Sequence, residues 1–300
     1  MNRMRLKKVL INIYMLLLKK YSLCKDFILK KKLGVPKVMS IDQTIEYILN
    51  NQCSVSRYGD GELKIVCGEN IRFQDYEAVL SKRLSEIIRG DGTVLVCISN
   101  IFHNLNWMIP SSYEYTWRVV AEHRKEWTNV LNLNYEYGNA FISRLYLGWK
   151  DKSNTSRWFS KIKKIWEGKD IVFVEGEQSR LGYGNDLFSN AKSIKRVLCP
   201  IRNAYSKYDS ILNEVKKLPQ NVLILIALGP TATVLAYDLA KEGYWAIDIG
   251  HIDIQYEWYK KGVTERVPVR GKFTNEAQGG DIVEEVVDEE FNKQIIAKIL

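Results

Sequence analysis

The residues best suited to chemistry lie in Ser54-Val55-Ser56-Arg57-Tyr58-Gly59-Asp60-Gly61-Glu62. The stretch begins as a short alternating strand and ends in a turn, where Gly59 and Gly61 bracket Asp60 and Glu62 follows. Glycine lets a backbone bend sharply and come close to a ligand. Asp60 and Glu62, one residue apart, offer the oxygen ligands that Mg²⁺ or Mn²⁺ takes, usually alongside a substrate phosphate. A D-x-E pair is also common as a solvated acidic turn, so spacing alone leaves both readings open.

The elements that must position these residues show up as alternating apolar strands and helices. Residues 41–52 read as a helix capped by Ser40, and Tyr76 to Ile88 as another. Thr93–Ser99 is an apolar run of the kind expected for a strand buried on both faces. From residue 161 the pattern is regular. A helix over Lys161–Glu167 leads to a strand at Asp170–Val174, then a strand at Ile194–Cys199 and a helix at Tyr208–Lys217. A strand at Asn221–Leu228, a helix at Val234–Glu242 and a strand at Trp245–Ile249 follow. This order predicts an α/β fold, a Rossmann-like, mostly parallel sheet with helices on both faces. Ligands bind such sheets at the carboxyl ends of the strands.

Four polar clusters follow predicted strands. They are Asp60-Gly-Glu62; Glu175-Gly-Glu177 with Arg180, Asn185 and Asp186; Gly229-Pro-Thr231-Ala-Thr233; and His251 with Asp253. The Gly-Pro-Thr-Ala-Thr turn opens a helix, so its free N–H groups and the helix dipole favour an anion. It is neither a Walker P-loop nor a dinucleotide fingerprint.

The formal charge of +9 hints at nucleic acid, but its distribution removes the hint. Residues 1–40 hold eleven of the 44 Lys and Arg and one of the 35 acids, and the remainder is close to neutral. The basic residues belong to no recognised nucleic-acid-binding module, so no nucleic-acid partner is expected. The five cysteines are scattered, without a C-x-x-C pair, which fits a reducing compartment and argues against disulfides or zinc. Residues 9–18 are apolar between lysine pairs, too short to span a bilayer and without a cleavage site after them. Such a helix can lie on an anionic membrane surface or pack on the body. Three regions result: a basic arm over 1–39, a main body over 40–268, and an acidic tail with a short helix over 269–300. The aromatics of 101–158 read mostly as core, with some free to stack on a sugar ring.

The run R-Y-G-D-G-E, then E-G-E-x-S-R-x-G-x-G-N-D-L-F, then L-G-P-T-A-T-V-L-A-x-D-L-A, then D-I-G-H-I-D-I-x-Y-E-W resembles the GT-D type glycosyltransferases, formerly DUF1792. The resemblance covers about residues 40–265. It implies a metal-dependent transferase, with Mn²⁺ or Mg²⁺, that uses a nucleotide-diphosphate sugar, typically UDP-hexose, in bacterial capsule, exopolysaccharide or surface-glycoprotein synthesis. The family's metal motif falls on Asp60 and Glu62. Its nucleotide-side motifs fall on Arg57, Glu175, Arg180, Asn185, Asp186, Gly229, Thr231 and Thr233. Its last motif falls on His251, Asp253 and Glu257, which supply the candidate bases. Gln255 stands where an acid is expected, and if that acid met the acceptor, acceptor choice would differ here.

The residue types fit that chemistry. A departing diphosphate is stabilised by a cation, helix-terminal N–H groups and an Arg, and an acceptor hydroxyl is activated by a base. His251 reads equally as a structural hydrogen-bond partner, and Arg180 as a partner of Glu175 or Glu177. The acceptor would be a glycan, either lipid-linked or on a glycoprotein. The location would be cytoplasmic, at the inner membrane face if the arm binds lipid, and a homo-oligomer is compatible with the chain. The alternatives are a metal-dependent nucleotide-sugar hydrolase or phosphoesterase, and a non-catalytic glycan- or nucleotide-binding subunit.

Overall fold

The computed structural model describes residues 2–285 and 288–300, without the side chains of residues 2–6, 8, 11, 12 and 15. In chain order the elements are α1 (Asn2–Leu33), β1 (Lys37–Val38), α2 (Ile41–Asn51), β2 (Val55–Tyr58), α3 (Asp60–Val66) and α4 (Ala78–Ile87). Next come β3 (Leu95–Ile98), α5 (Pro110–Val130), β4 (Glu136–Asn139), α6 (Thr155–Lys163), β5 (Asp170–Gly176) and β6 (Ser193–Cys199). The last are α7 (Tyr208–Val215), β7 (Leu223–Ala227), α8 (Pro230–Lys241), β8 (Trp245–Asp248), α9 (Ile252–Lys261), α10 (Glu289–Gln294) and β9 (Ile295–Lys298).

The nine strands form one sheet in the order β1-β4-β3-β2-β8-β7-β5-β6-β9, and every pairing is parallel. Parallel strands need crossovers, and the crossovers cover both faces. Alternation within the apolar runs feeds two cores. Val172, Val174, Ile224 and Ile226 point to the face packed by residues of α3, α4, α5, α7 and α8. Ile171, Phe173, Leu223, Leu225 and Ile247 point to the other, packed by residues of α2, α6 and α9. β2 and β8 share a single matched pair, Val55 with Ile247. The Ser54 hydroxyl supplements this seam, donating to the Tyr244 carbonyl at 3.1 Å and accepting from the Ala246 N–H at 2.9 Å.

Several expectations change. The sixth helix is Thr155–Lys163 rather than Lys161–Glu167. α8 begins at Pro230, so Thr231 and Thr233 are helical and not in a turn before the helix. Pro fits that position because its missing N–H would be unpaired there anyway. The aromatic segment contains the 21-residue α5, which buries Trp117, Arg124 and Trp127. The tail does more than end in a helix: β9 follows α10 and pairs with β6, and Lys272 is buried. Among the described residues no helix is long and apolar enough to cross a membrane.

Candidate active site

β2 ends at Tyr58 and α3 starts at Asp60, so the Asp-Gly-Glu motif is the first turn of a helix. Acidic residues suit that end of the helix dipole. Glu62 turns back on its own cap, and its Oε2 accepts the Gly59 N–H at 2.6 Å. A Cβ on Gly59 would stand 3.2 Å from that oxygen, so glycine keeps the cap uncrowded. Glu62 is buried; desolvation and the Asp60 charge raise its pKa, against the pull of Arg57 and the Gly59 N–H. Asp60 faces solvent, its Oδ2 accepts from the Tyr115 hydroxyl at 2.6 Å, and Lys64 Nζ lies 3.9 Å away. One aromatic of the 101–158 segment therefore reaches the motif.

On the neighbouring strand, Asp248 ends β8 with its Oδ1 3.5 Å from Arg57 Nε. That oxygen accepts the Gly250 N–H at 3.0 Å. Burial pushes the Asp248 carboxyl up to about 6, with Arg57 opposing and Glu62 adding to the shift. Gly250 has φ +46°, and a Cβ there would fall 2.0 Å from Arg57 Nη2, so the guanidinium lies directly on this backbone. The Thr233 hydroxyl donates to the Arg57 carbonyl at 2.9 Å and ties α8 to β2. Thr231 is buried with its hydroxyl unpartnered. Gly229, at φ +55°, lies under Phe73, whose ring carbon would be 2.5 Å from a Cβ at that position.

Arg144, beyond β4, donates to Glu276. Arg266 Nε lies 3.2 Å from the other oxygen of Glu276, and His251 Nε2 lies 4.0 Å from the first. Two arginines outweigh desolvation and hold the Glu276 carboxyl well below the usual range. Burial, with Arg144 and Arg57 nearby, lowers the His251 pKa to about 4 in spite of Glu276, so its ring is neutral near pH 7.

Among the described residues, four buried polar atoms make no hydrogen bond here, Arg57 Nε, Thr231 Oγ1, His251 Nε2 and Glu276 Oε2, although Arg57 faces Asp248 and Glu276 faces Arg266 as ion pairs. Unmade buried hydrogen bonds are costly and rare, so a cluster of them marks a place built for a ligand. Arg57, Arg144 and Arg266 give it positive charge, and the α8 N-terminus adds to it. Among the described residues no three His, Cys, Asp or Glu side chains converge to hold a metal unaided. Asp60 and Glu62 offer two carboxylates on the first turn of α3, each with one oxygen already bonded.

The other expected residues gather elsewhere and are satisfied. Glu175 is fully buried, ion-paired to Arg196 and bonded by the Leu181 N–H at 2.7 Å. Arg180 pairs with neither Glu175 nor Glu177; it donates to the carbonyls of Gly271 and Glu284. Asp253 accepts from Gly182 N–H, Asn185 Nδ2 and Lys272 Nζ, at 3.0, 2.8 and 2.6 Å. Glu257 takes Asn185 and Lys272 at 2.8 and 3.1 Å. Asp186 is held by the Tyr256 hydroxyl at 3.0 Å, with Lys260 at 3.3 Å. Gln255 is buried, and its Oε1 accepts the Tyr146 and Leu147 N–H groups at 3.1 and 2.8 Å. It is therefore turned to the protein rather than to an acceptor.

The sequence profile of the glycosyltransferase GT-D fold matches residues 55–277, which include every site residue named above. The chain belongs to the GT-D glycosyltransferase family. A probable glycosyl transferase of Streptococcus gordonii is 40% identical over 87% of this chain and 39% of its own length. The glycosyltransferase GlyD of Streptococcus pneumoniae serotype 4 is 38% identical over 91% of this chain and 34% of its own. The chain thus spans little more than a third of these relatives. A solved structure described as domain of unknown function 1792, with a distinct glycosyltransferase fold, is 41% identical with a TM-score of 0.86. It covers 91% of this chain and 99% of its own. A new glycosyltransferase (DUF1792) from Streptococcus sanguinis is 39% identical over 89% of this chain and all of its own, with a TM-score of 0.83.

Among the side chains of this GT-D edge that sequence reasoning missed are Tyr115, Arg144, Asp248 and Glu276. Asp248 had a local signal, since it ends an apolar strand just ahead of Gly250 and His251. The other three arrive from distant loops and helices. An open cleft of about 350 Å³ lies further along the same edge, lined by Glu177, Gln178, Arg202, Phe273 and Asp281 among others. Arg72 Nη2 bonds Asp281 at 3.0 Å and so links this cleft to Phe73 over the α8 turn.

Proposed function

We propose that this GT-D chain transfers a hexose from a nucleotide-diphosphate sugar, UDP-hexose in the first instance, to a glycan hydroxyl, with Mn²⁺ or Mg²⁺. The observation that carries the reading is the clustering of unpartnered buried atoms and arginines beside Asp60 and Glu62, at the carboxyl ends of β2, β7 and β8. Asp60, half-exposed and held by Tyr115 through Oδ2, would give the cation its other oxygen, and Glu62, anchored on its cap, would be the second. A cation held there would neutralise charge growing on the departing diphosphate. Thr231 and the first N–H groups of α8 are placed to bind phosphate, while Arg57 and Arg144 stabilise the same charge.

Of the three base candidates, His251 alone keeps an unpaired, neutral ring nitrogen on this edge. It is the group placed to accept an acceptor proton, whereas Asp253 and Glu257 hold Lys272. The acceptor is proposed to be a glycan of bacterial capsule, exopolysaccharide or surface glycoprotein, entering by the cleft beside Asp281. The sugar-nucleotide pool that the reaction draws on is cytoplasmic, and so is the proposed location.

A thermal-shift titration with UDP, GDP, CDP and dTDP, each with and without Mn²⁺, tests the reading. A ligand that binds the folded state alone raises stability in proportion to RT ln(1 + [L]/Kd). The expected result is a Mn²⁺-dependent rise with UDP, absent in Asp60→Asn. A rise independent of metal, or no rise with any nucleotide, would remove the proposal. Turnover of UDP-hexose at the same rate with and without glycans would replace transfer by hydrolysis.

A further inference from the structure

The first helix of the chain lies outside the region matched to the family and turns a strip of apolar side chains to solvent. Among the described side chains, it makes polar contacts with α5 and with the loop before it. Lys19 pairs with Glu114 at 3.0 Å, Asp26 pairs with Arg124, and Lys30 reaches the His103 carbonyl. The opposite side carries Leu10, Tyr14, Leu17, Tyr21, Cys24 and Ile28, spaced alternately by four and three residues. That spacing keeps one line along a helix. All six are exposed, the five large ones by 56 to 69%. Val9, Ile13, Leu16 and Phe27 widen the strip. A helix in water normally turns such residues inward, and an exposed patch of this extent marks a docking surface.

Charge selects the occupant. Lys20, Lys25, Lys31 and Lys32 are exposed along the flanks of the strip. A second copy laid strip to strip would set lysine against lysine, which disfavours self-pairing. A bilayer with anionic headgroups meets both features, since apolar residues enter the acyl boundary while lysines reach up to phosphates. We infer that α1 docks the chain in the plane of an anionic membrane through the strip from Leu10 to Ile28. This inference does not depend on the transferase reading.

The test is co-sedimentation of the full chain with vesicles of phosphatidylcholine, with and without phosphatidylglycerol, paired with size-exclusion chromatography. Partition should favour the anionic vesicles and weaken in high salt. Leu17→Asp with Ile28→Asp should lower it by about tenfold or more, and Lys20→Glu with Lys25→Glu should abolish the preference for anionic lipid. These exposed substitutions should leave the melting temperature and the response to UDP unchanged. Equal partition of parent and variants, or absence from both vesicles, overturns the inference. So does a dimer in solution that the Asp substitutions split, which would make the strip a self-association surface.

Discussion

The two polar networks at the carboxyl edge of the sheet differ in their completeness. Around Asp253 and Glu257, every charge has a partner: Lys272 sits between the carboxylates, Asn185 bridges them, and the Gly182 N–H closes the set. Around Arg57 and His251, comparable burial leaves four polar atoms without a hydrogen bond, two of them facing only an ion-pair partner. A complete network holds loops in place; an incomplete one has its remaining partners outside the chain. The sequence offers no means of telling them apart, because both consist of acids, amides and basic residues after strands.

The sharpest test of this contrast is Lys272→Met. It should strand two buried carboxylates and cost about 3–5 kcal/mol, a fall in melting temperature on the order of 10 °C. A small fall would show that the network is not the scaffold described. Asp60→Asn, in the incomplete network, should do the opposite. Turnover of UDP-hexose should drop by about a hundredfold or more, while the melting temperature of the unliganded protein stays put. Loss of fold with loss of turnover would erase the distinction.

Acid should act on the same side. The His251 pKa is about 4 in the folded chain against an ordinary 6.5. The unfolded chain therefore binds the proton first, and this contribution to stability is complete above pH 6.5 and drains away as pH falls through 4. The loss should reach about 3 kcal/mol. Urea denaturation at pH 7.5 and pH 5 should show about 2 kcal/mol of it as the difference between the parent and His251→Asn, a comparison that cancels the opposite effect of Asp248. Gln255→Leu should cost about 1–3 kcal/mol by orphaning the Tyr146 and Leu147 N–H groups, with the acceptor KM unaltered. A changed KM would return Gln255 to the acceptor side. The smallest effect belongs to Thr231→Val, whose hydroxyl has no protein partner to lose. Stability should hold, and UDP should bind about fivefold more weakly; an equal affinity would take Thr231 out of the phosphate site.

Much of the fold is readable from residues 161–250, where apolar runs such as Leu223–Ala227 alternate with striped helices. Those runs are buried on both faces, and this makes them distinct. α5 escapes because its aromatics blur the helical stripe and buried Arg124 interrupts it. β9 escapes because Ile295–Lys298 directly continues α10 and becomes a strand only by pairing with β6. The site divides in the same way. Asp60, Glu62 and Arg57 sit together in sequence, while Arg144 and Glu276 meet across 132 positions.

The thin seam between β2 and β8 bears on how the chain acquires its function. Ser54 and Ala246, joined across that seam, are 192 residues apart, so forming it carries a large loop-closure cost and falls late. Each half of the sheet can zip up from nearer pairings first. The candidate site straddles the seam, with Asp60 on one half and Asp248 on the other. A growing chain therefore carries no finished site until β8 has joined β2, and the proposed sugar-nucleotide binding would report on complete folding. Pulsed hydrogen exchange during refolding should find the Ala246 amide protected after those of β5, and earlier protection would reverse that order.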